Sequence, residues 1–328
     1  MRYILLFVFV NAFTAAISQQ VFNKKQPLAN TFSIVARDIE TGEMAVGVQS
    51  HWFSVGTAVP WAEAGVGAVA TQSFVDKSYG TKGLALLKQG FTAQQALDSL
   101  TKADAGREVR QVAIIDNKGN VATHTGKNCI QYADHKSGTN FSVQSNMMLG
   151  STVSESMAAS FNGSKGKPLA ERVLLALEAA QKAGGDIRGM QAAAILVVPG
   201  KTNNHPWNER TVDLRVDDSP TPLKELRRLY QVYLAYEHMN NGDLAVEKND
   251  MNLAMNEYNA AMKLFPANLE MQYWTAITLA NNKQLNKAKP ILKSIFTKDK
   301  NWRELTRRLK PVGLLTVSDE EERAILSL

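Results

Sequence analysis

The chain has 328 residues, 45% of them hydrophobic and 21% charged, which is the composition of a folded globular protein and excludes disorder for most of its length. Residues 1–218 carry 21 basic and 18 acidic side chains and the remainder carries 16 and 13, so the net charge of +6 is shared equally. Nucleic-acid-binding proteins concentrate basic charge on one face, and a nucleic-acid partner is therefore not expected.

The first 18 residues have the features of a cleaved signal peptide. Arg2 is followed by an almost wholly apolar run over residues 3–13, and residues 16–18 place small side chains where signal peptidase cuts. The run is shorter than the roughly 20 residues of a membrane-spanning helix. An uncleaved anchor is the alternative. We expect an exported protein, periplasmic or extracellular, with an extension over residues 19–30 and no membrane span after cleavage.

Strand and helix patterns then follow in blocks. The predicted strands are 31–37, 44–49, 65–72, 112–115, 121–125, 141–144, 191–198 and 212–216. The predicted helices are 80–89, 93–102, 153–161 and 169–183, the second opened by a capping-box signature at residues 92–95. Single strands alternating with helices would indicate a parallel sheet, whereas these blocks favour antiparallel sheets covered by helix pairs. We predict one such α+β domain over residues 31–218.

A second domain is predicted over residues 223–328, beyond a stretch rich in Pro, Asn, Asp and Gly. Here a 34-residue period can be counted from Ala235. Small, aromatic and proline residues occupy the positions that a tetratricopeptide repeat gives them, at Gly242, Ala254, Tyr258, Ala261 and Pro266. A degraded second copy follows. We expect an all-α, tetratricopeptide-like domain that offers a surface to a protein or cell-wall partner.

Metal and cofactor motifs are not recognisable in the sequence. Cys129 is the single cysteine, which excludes an internal disulfide and a thiolate zinc site, and the five histidines lack ligand spacing. Residues 65–70 match a loose dinucleotide-binding pattern, but strand residues follow where a helix should begin. Serine-hydrolase and zincin motifs do not occur. We therefore expect neither a metal ion nor an organic cofactor.

Several longer motifs follow one another in a fixed order. They are Thr31-Phe-Ser-Ile-Val-Ala-Arg37-Asp38, Val59-Pro-Trp61-Ala, Gly65-Val-Gly-Ala-Val-Ala-Thr71-Gln72, Tyr79-Gly80-x-x-Gly83-Leu, Gly106-Arg107-Glu-Val-Arg110-Gln111, His124-Thr125-Gly126, Phe141-Ser-Val-Gln144-x-Asn146, Gly184-Gly-Asp186-x-Arg188-Gly189-x-Gln191 and Asp213-Leu-Arg215-Val-Asp217-Asp218. In this series the chain resembles the bacterial domain of unknown function 1028 family. The resemblance implies a four-layer αββα sandwich of the N-terminal nucleophile (Ntn) hydrolase type.

The same resemblance implies hydrolysis of an amide by the first residue of the mature domain. The candidate nucleophile is Thr31, which becomes N-terminal if the chain is cut after Asn30. Its own α-amino group, with a pKa near 7.7 to 8.0, would then act as general base. Arg37 and Asp38 complete the candidate catalytic set, Arg37 tuning the amine if its side chain reaches Thr31. The alternatives are a β-branched strand residue for Thr31 and a turn-stabilising carboxylate for Asp38.

The substrate implied is a peptide or another small amide, a cell-wall fragment being one option for an exported protein. The resemblance places eight more polar residues in a substrate pocket: Thr71, Gln72, Arg110, Gln111, His124, Asp186, Arg188 and Gln191. For Thr71 and Gln72 the alternative is an ordinary strand terminus, and for Asp186 and Arg188 it is a local ion pair. A non-catalytic envelope binding or scaffold protein with the same fold is the alternative for the whole chain.

Overall fold

The structure, a computed structural model, describes residues 28–29 and 31–328. The predicted signal peptide lies outside the described residues. The predicted extension over residues 19–30 also lies outside them, except for Leu28 and Ala29. The strands are β1 (Leu28–Ala29), β2 (Thr31–Arg37), β3 (Met44–Ser50), β4 (Pro60–Glu63), β5 (Gly67–Phe74), β6 (Arg110–Asp116), β7 (Val121–Thr125), β8 (Asp134–Gly138), β9 (Phe141–Ser145), β10 (Ala192–Val198) and β11 (Val212–Val216). The helices are α1 (Ser78–Lys88), α2 (Ala93–Ala103), α3 (Val153–Gly163), α4 (Leu169–Lys182), α5 (Pro222–Glu247), α6 (Met251–Leu264), α7 (Leu269–Asn281), α8 (Leu285–Lys298), α9 (Asn301–Leu309) and α10 (Asp319–Leu326).

The chain divides into two compact units, one ending at Pro222 and the other running from Leu223 to Leu328. In the described ranges, 28–29 and 31–328, none of these helices combines the length and the apolar content needed to cross a membrane.

Six antiparallel strands of the first unit form one sheet, in the order β11-β10-β3-β2-β9-β8. Strand β2 lies near its centre and pairs with β3 from Thr31 opposite Ser50 to Arg37 opposite Met44. Its other neighbour is β9, which begins opposite Ala36 and ends with Ser145 opposite Phe32. Thr31 and Arg37 therefore lie at opposite ends of this sheet.

The other sheet has five antiparallel strands built around β5. One side of β5 pairs with β6, which pairs in turn with β7. The other edge is shared by two strands, since β4 pairs with Gly67 to Ala70 and β1 pairs with Ser73 and Phe74. The chain consequently passes from the five-stranded sheet to the six-stranded sheet between β1 and β2.

The two sheets face each other, and each is covered on its outer side by a helix pair. Helices α1 and α2 pack on β5, β6 and β7, while α3 and α4 pack on β2, β3 and β9. Small and β-branched side chains fill much of the space between the sheets, among them Val46, Ala68, Ala113 and Ile115, all fully buried. The prediction of a mixed α+β protein with two antiparallel sheets and a helical C-terminal region is confirmed.

Three strands were not predicted from the sequence. β8 is a polar, partly exposed edge strand of sequence Asp-His-Lys-Ser-Gly, without the β-branched residues that mark a strand. β4 begins at Pro60, and proline is tolerated in a sheet only at an edge or a strand start. β1 has two residues. Tertiary pairing rather than local sequence preference creates all three.

The second unit is helical from α5 to α10. Helix α5 runs for 26 residues and passes through Gly242. A Cβ atom at Gly242 would lie 2.4 Å from Cε1 of Tyr258, so the glycine permits close packing of this ring. Tyr258 is fully buried together with Ala254 and Ala261 of α6. Four of the five repeat positions therefore lie where α5 and α6 pack together, whereas Pro266 follows α6 and is exposed.

Replacing Gly47 of β3 by alanine is expected to destabilise the first unit by about 1–3 kcal/mol, because the new methyl group overfills the core. Its Cβ would lie 2.3 Å from Cγ1 of Val173 and 3.2 Å from Cδ1 of Leu177. Thermal and urea unfolding measure the change. Gly163→Ala is the matched control, since no heavy atom lies within 4 Å of its Cβ position. Equal stability of the two variants would contradict the close approach of α4 to the sheet.

Candidate functional site

The layer between the two sheets changes from apolar to polar toward the end that contains Thr31. Successive side chains of a strand point to opposite faces, so every second residue of each strand enters this layer. At the polar end the inward side chains are Thr31, Gln72 and Gln111, joined by Asn146 just after β9. All four are fully buried. Polar side chains from both sheets thus meet in a space without solvent.

The carboxamide of Gln111 is the centre of this polar cluster. Its Oε1 accepts hydrogen bonds from Gln72 Nε2 at 2.7 Å and from Asn146 Nδ2 at 2.8 Å. Its Nε2 donates to Thr125 Oγ1 at 2.9 Å and to the carbonyl oxygen of Ser145 at 3.0 Å. One side chain therefore connects β5, β6 and β7 of one sheet to β9 of the other.

The backbone of Thr31 is held by the same cluster. Its carbonyl oxygen accepts from the backbone N–H of Asn146 at 3.0 Å, from Gln72 Nε2 at 3.3 Å and from Asn146 Nδ2 at 3.4 Å. Within the described part of the chain, Gln72 Oε1 and Asn146 Oδ1 are buried without a hydrogen-bond partner. A buried acceptor without a donor costs about 1–3 kcal/mol, so two of them beside Thr31 indicate a place where a donor can bind.

His135 of β8 extends the cluster toward the sheet edge. Its Nδ1 lies 2.9 Å from Thr125 Oγ1, which in turn accepts from Gln111. Burial lowers the pKa of His135, and this effect outweighs the opposite influence of the neighbouring Asp134 carboxylate. The folded protein therefore favours the neutral imidazole.

Asp186, Arg188 and Gln191 lie in the loop that leads into β10, at the same end of the six-stranded sheet as Thr31. The backbone N–H of Gln191 donates to the carbonyl oxygen of Ser50 at 3.1 Å, and Ser50 is opposite Thr31. The buried Asp186 carboxylate accepts from Arg188 Nη2 at 2.7 Å and from the backbone N–H of His51 at 3.2 Å. The local ion pair is thus present, and it anchors the loop beside the cluster.

Thr71, Arg110 and His124 point away from the cluster, toward the outer face of the five-stranded sheet. Thr71 Oγ1 donates to the carbonyl oxygen of Asp76 at 3.2 Å, and His124 Nε2 lies 2.8 Å from that of Arg107. Each of the three is adjacent in sequence to a residue that does point inward, so the expectation that they line the same pocket as Thr31 does not hold.

The buried guanidinium of Arg110 fixes the end of β5. Its Nη1 donates to the carbonyl oxygen of Phe74 at 2.7 Å, and its Nε donates to Asp104 Oδ2 at 2.8 Å. Burial alone would raise the pKa of Asp104, but the hydrogen bond from Arg110 and the other donors hold it below its usual value. The arginine is an element of sheet structure rather than a group facing the polar cluster.

Arg37 and Asp38 lie at the opposite end of β2, six residues and roughly 20 Å from Thr31. They line a cleft of about 680 Å³ together with Arg172. Burial alone would raise the pKa of Asp38, but backbone N–H groups of Thr41 and Glu40 and the Arg172 guanidinium hold it below its usual value. Asp38 therefore stabilises a turn, and Arg37 is too far away to tune an amine at Thr31.

The polar cluster offers hydroxyl and carboxamide groups, which are weak ligands for transition-metal ions, together with the one imidazole of His135. Across residues 28–29 and 31–328, no group of three or more His, Cys, Asp or Glu side chains could hold a metal ion. What the cluster can do chemically is orient a backbone amide or amine and exclude water around Thr31.

Residues 31–226 match a family described as a family of unknown function, DUF1028. The chain belongs to the DUF1028 family. A crystal structure of protein SPO2555 from Silicibacter pomeroyi, assigned to DUF1028, is 31% identical in sequence with a TM-score of 0.56, and the similarity covers 62% of this chain and 85% of that one. Among curated proteins no significant match is found.

Asn146, Thr125 and His135 belong to the polar cluster of this DUF1028 domain but were not predicted as site residues. Asn146 closes one of the motifs that carry the family resemblance, and Thr125 follows His124 directly. Side chains alternate between the two faces of a strand. If Gln111 is known to point inward, this alternation predicts that Thr125 rather than His124 points inward as well. His135 lies on β8, a strand without a recognisable sequence pattern, so no local signal pointed to it.

Gln111→Leu is expected to destabilise the DUF1028 domain by at least about 3 kcal/mol, since the buried amides of Gln72 and Asn146 lose their shared acceptor. Urea unfolding followed by tryptophan fluorescence measures the loss. The control is Gln89→Leu, an exposed residue after α1, for which the change should stay within about 0.5 kcal/mol. A similar small change for both variants would contradict the central role of Gln111.

The lowered pKa of His135 predicts a pH-dependent stability. In the unfolded chain His135 binds a proton near pH 6.5, whereas in the folded chain it does so only at lower pH. The free energy of unfolding therefore has its full value above pH 6.5 and decreases as the pH falls below it. Free energies of unfolding at about pH 7.5 and about pH 5 test this. The loss on acidification should be smaller for His135→Asn than for the wild type, and the exposed His205→Asn should behave as wild type. Identical losses in all three proteins would refute the assignment.

Proposed function

We propose that this protein is an exported amidohydrolase of the Ntn type, in which Thr31 is the nucleophile once it is the first residue of the mature chain. The four-layer order of helices, two facing sheets and helices supports the αββα sandwich that the family resemblance implies. The position of Thr31 supports the catalytic assignment, because it begins a central strand at the polar end of the inter-sheet layer.

The observation that carries the proposal is the pair of buried acceptors beside Thr31, Gln72 Oε1 and Asn146 Oδ1. Both belong to carboxamides whose nitrogen atoms donate to the carbonyl oxygen of Thr31. Cleavage between Asn30 and Thr31 turns the backbone N–H of Thr31 into an α-amino group, which adds N–H donors to the residue that these carboxamides hold. An amine fixed in this way is positioned to act on its own hydroxyl.

In this reaction the Thr31 hydroxyl oxygen bonds to the substrate carbonyl carbon, and the α-amine takes up the hydroxyl proton. The C–N bond of the amide then breaks, the leaving nitrogen receives that proton, and the acyl group remains on Thr31 as an ester. Water hydrolyses the ester and restores the hydroxyl. The hydrogen bonds to the carbonyl oxygen of Thr31 hold the residue in one position for this step. The substrate is a peptide or another small amide, and a cell-wall fragment fits an exported enzyme.

The helical unit is proposed to be a tetratricopeptide-like module that binds a protein or cell-wall partner. The close contact of Gly242 with Tyr258, and the burial of Ala254 and Ala261 beside them, support this assignment. The small residues are found where a repeat of this type packs its two helices together. Elongated helix pairs of this kind offer one continuous face to a partner.

A second candidate is a non-catalytic envelope binding protein with the same fold. One observation favours it: Leu28 and Ala29 pair with β5, so the residues before Thr31 are built into a sheet of the uncut chain. Thr31 is not N-terminal in that state. The two candidates differ in whether the exported protein loses these residues.

N-terminal sequencing and intact mass of the exported protein distinguish the two candidates, and a mature chain that starts at Thr31 is expected. Thr31→Val should abolish cleavage of an amide substrate panel, because it removes the hydroxyl and keeps the shape, while Thr31→Ser should retain measurable activity. Ser33→Ala, two residues further along the same face of β2, is the control and should remain active. Stability of Thr31→Val should stay within about 2 kcal/mol of wild type, as for loss of a single buried hydroxyl.

A mature chain that begins before Leu28 in every preparation would refute the Thr31 mechanism. Full activity of Thr31→Val would refute it as well.

A further inference from the structure

One edge of β5 pairs with two different segments of the chain along its length. From Gly67 to Ala70 the edge is paired with β4, but at Ser73 and Phe74 it is paired with Ala29 and Leu28. In the part of the chain that the structure describes, β1 alone covers these two residues. The partner of this edge is therefore the segment that lies before the predicted cleavage point.

The connection between β1 and β2 places this pairing close to Thr31. β1 runs antiparallel to β5, and a single residue separates it from Thr31, which belongs to the other sheet. The chain therefore passes from one sheet to the other within one residue of Thr31, whose carbonyl oxygen accepts hydrogen bonds from Gln72 and Asn146. A strand on this edge therefore ends close to Thr31.

We propose that the edge of β5 at Ser73 and Phe74 is a binding site for an extended peptide, and that residues 28–29 occupy it as a tethered inhibitor until they are cut away. The proposal rests on the proposed function, since it assigns the substrate class of the same site. Hydrolysis between residues 30 and 31 consumes one water and leaves a carboxylate on residue 30 and an amine on Thr31. The freed edge then binds the acyl side of a substrate peptide by strand addition.

The buried Arg110 holds the backbone at the end of β5. Arg110 of β6 is opposite Ser73, is buried, and donates from Nη1 to the carbonyl oxygen of Phe74 at 2.7 Å. Asp104 holds the same guanidinium from the side. Ser73 itself has φ of 70°, a left-handed conformation that non-glycine residues rarely adopt. A preformed edge needs little ordering when a peptide binds, which favours affinity from main-chain hydrogen bonds.

Because main-chain pairing dominates this site, the ligand is recognised first as an extended chain and only second by its side chains. The chain's own Leu28 and Ala29 set the register of such a ligand against Phe74 and Ser73. The substrate class is thus a peptide in which one residue separates two residues in strand conformation from the cleavable amide. A compact amide without such residues lacks the pairing.

The experiment uses the full chain with Thr31→Val, so that no cleavage occurs. In this background the double change Leu28→Pro and Ala29→Pro prevents strand pairing, because proline has no N–H to donate. Hydrogen exchange read by mass spectrometry on a fragment containing Ser73 and Phe74 should become about tenfold faster. Lys25→Pro, outside β1, is the matched control and should leave the exchange unchanged.

A synthetic peptide of residues 24–30, added at millimolar concentration to the double variant, should restore the slow exchange. The same peptide with N-methyl groups on the residues equivalent to Leu28 and Ala29 should not restore it. Unchanged exchange in the double variant, or equal effects of the two peptides, would overturn the proposal.

These outcomes are separable from those of the proposed function, because the binding measurement uses a chain without the nucleophile. If the peptide restores protection while the wild type shows neither processing nor amidase activity, the binding site stands and the proposed function fails. If the wild type cleaves amides while the peptide neither protects the edge nor slows that cleavage, the proposed function stands and the edge site fails.

Discussion

The arrangement of the first unit depends on the hydrogen bonds of one buried carboxamide. Polar side chains buried between two sheets are costly unless most of their N–H and C=O groups find partners, since an unpaired group cannot turn to water. Gln111 provides a partner for the amide nitrogens of Gln72 and Asn146 and for the hydroxyl of Thr125. The relative position of the two sheets at this end is therefore determined by hydrogen-bond geometry rather than by apolar packing.

The apolar end of the same layer works by a different principle. There alanine and valine side chains let the sheets approach closely, and close contact excludes water without directional bonds. The apolar end contributes close packing, and the polar end contributes hydrogen bonds around Thr31. Thr31 begins the central strand at the polar end, whereas the turn containing Asp38 and the cleft beside Arg172 are about one strand length away. Polar residues close in sequence can therefore belong to quite different surroundings.

The regular elements could be predicted from the sequence because their signals are local. The capping box at Thr92 and Gln95 is present as expected, and strands rich in alanine and valine such as β10 form where the pattern places them. The site was harder to predict, since its members come from separate strands and depend on which face each strand turns inward. The sequence predicts His124 as a pocket residue, but its neighbour Thr125 points inward. Arg110 and Gln111 are both predicted as pocket residues, but only Gln111 points inward, because neighbouring residues of a strand point to opposite faces. The membership of Asn146 and His135 requires the pairing of β8, β9 and β2, which no local pattern contains.

The edge of β5 that β1 and β4 share limits how many residues of another strand can pair with it. From Phe74 to Ala70, where Pro60 of β4 is already paired, the edge is four residues or about 13 Å long. Such a chain cannot continue straight and has to bend out of the sheet, as the protein's own backbone does when it enters β2. A ligand bound along this edge would therefore keep strand pairing over a few residues only, and the rest of it would lie outside the five-stranded sheet.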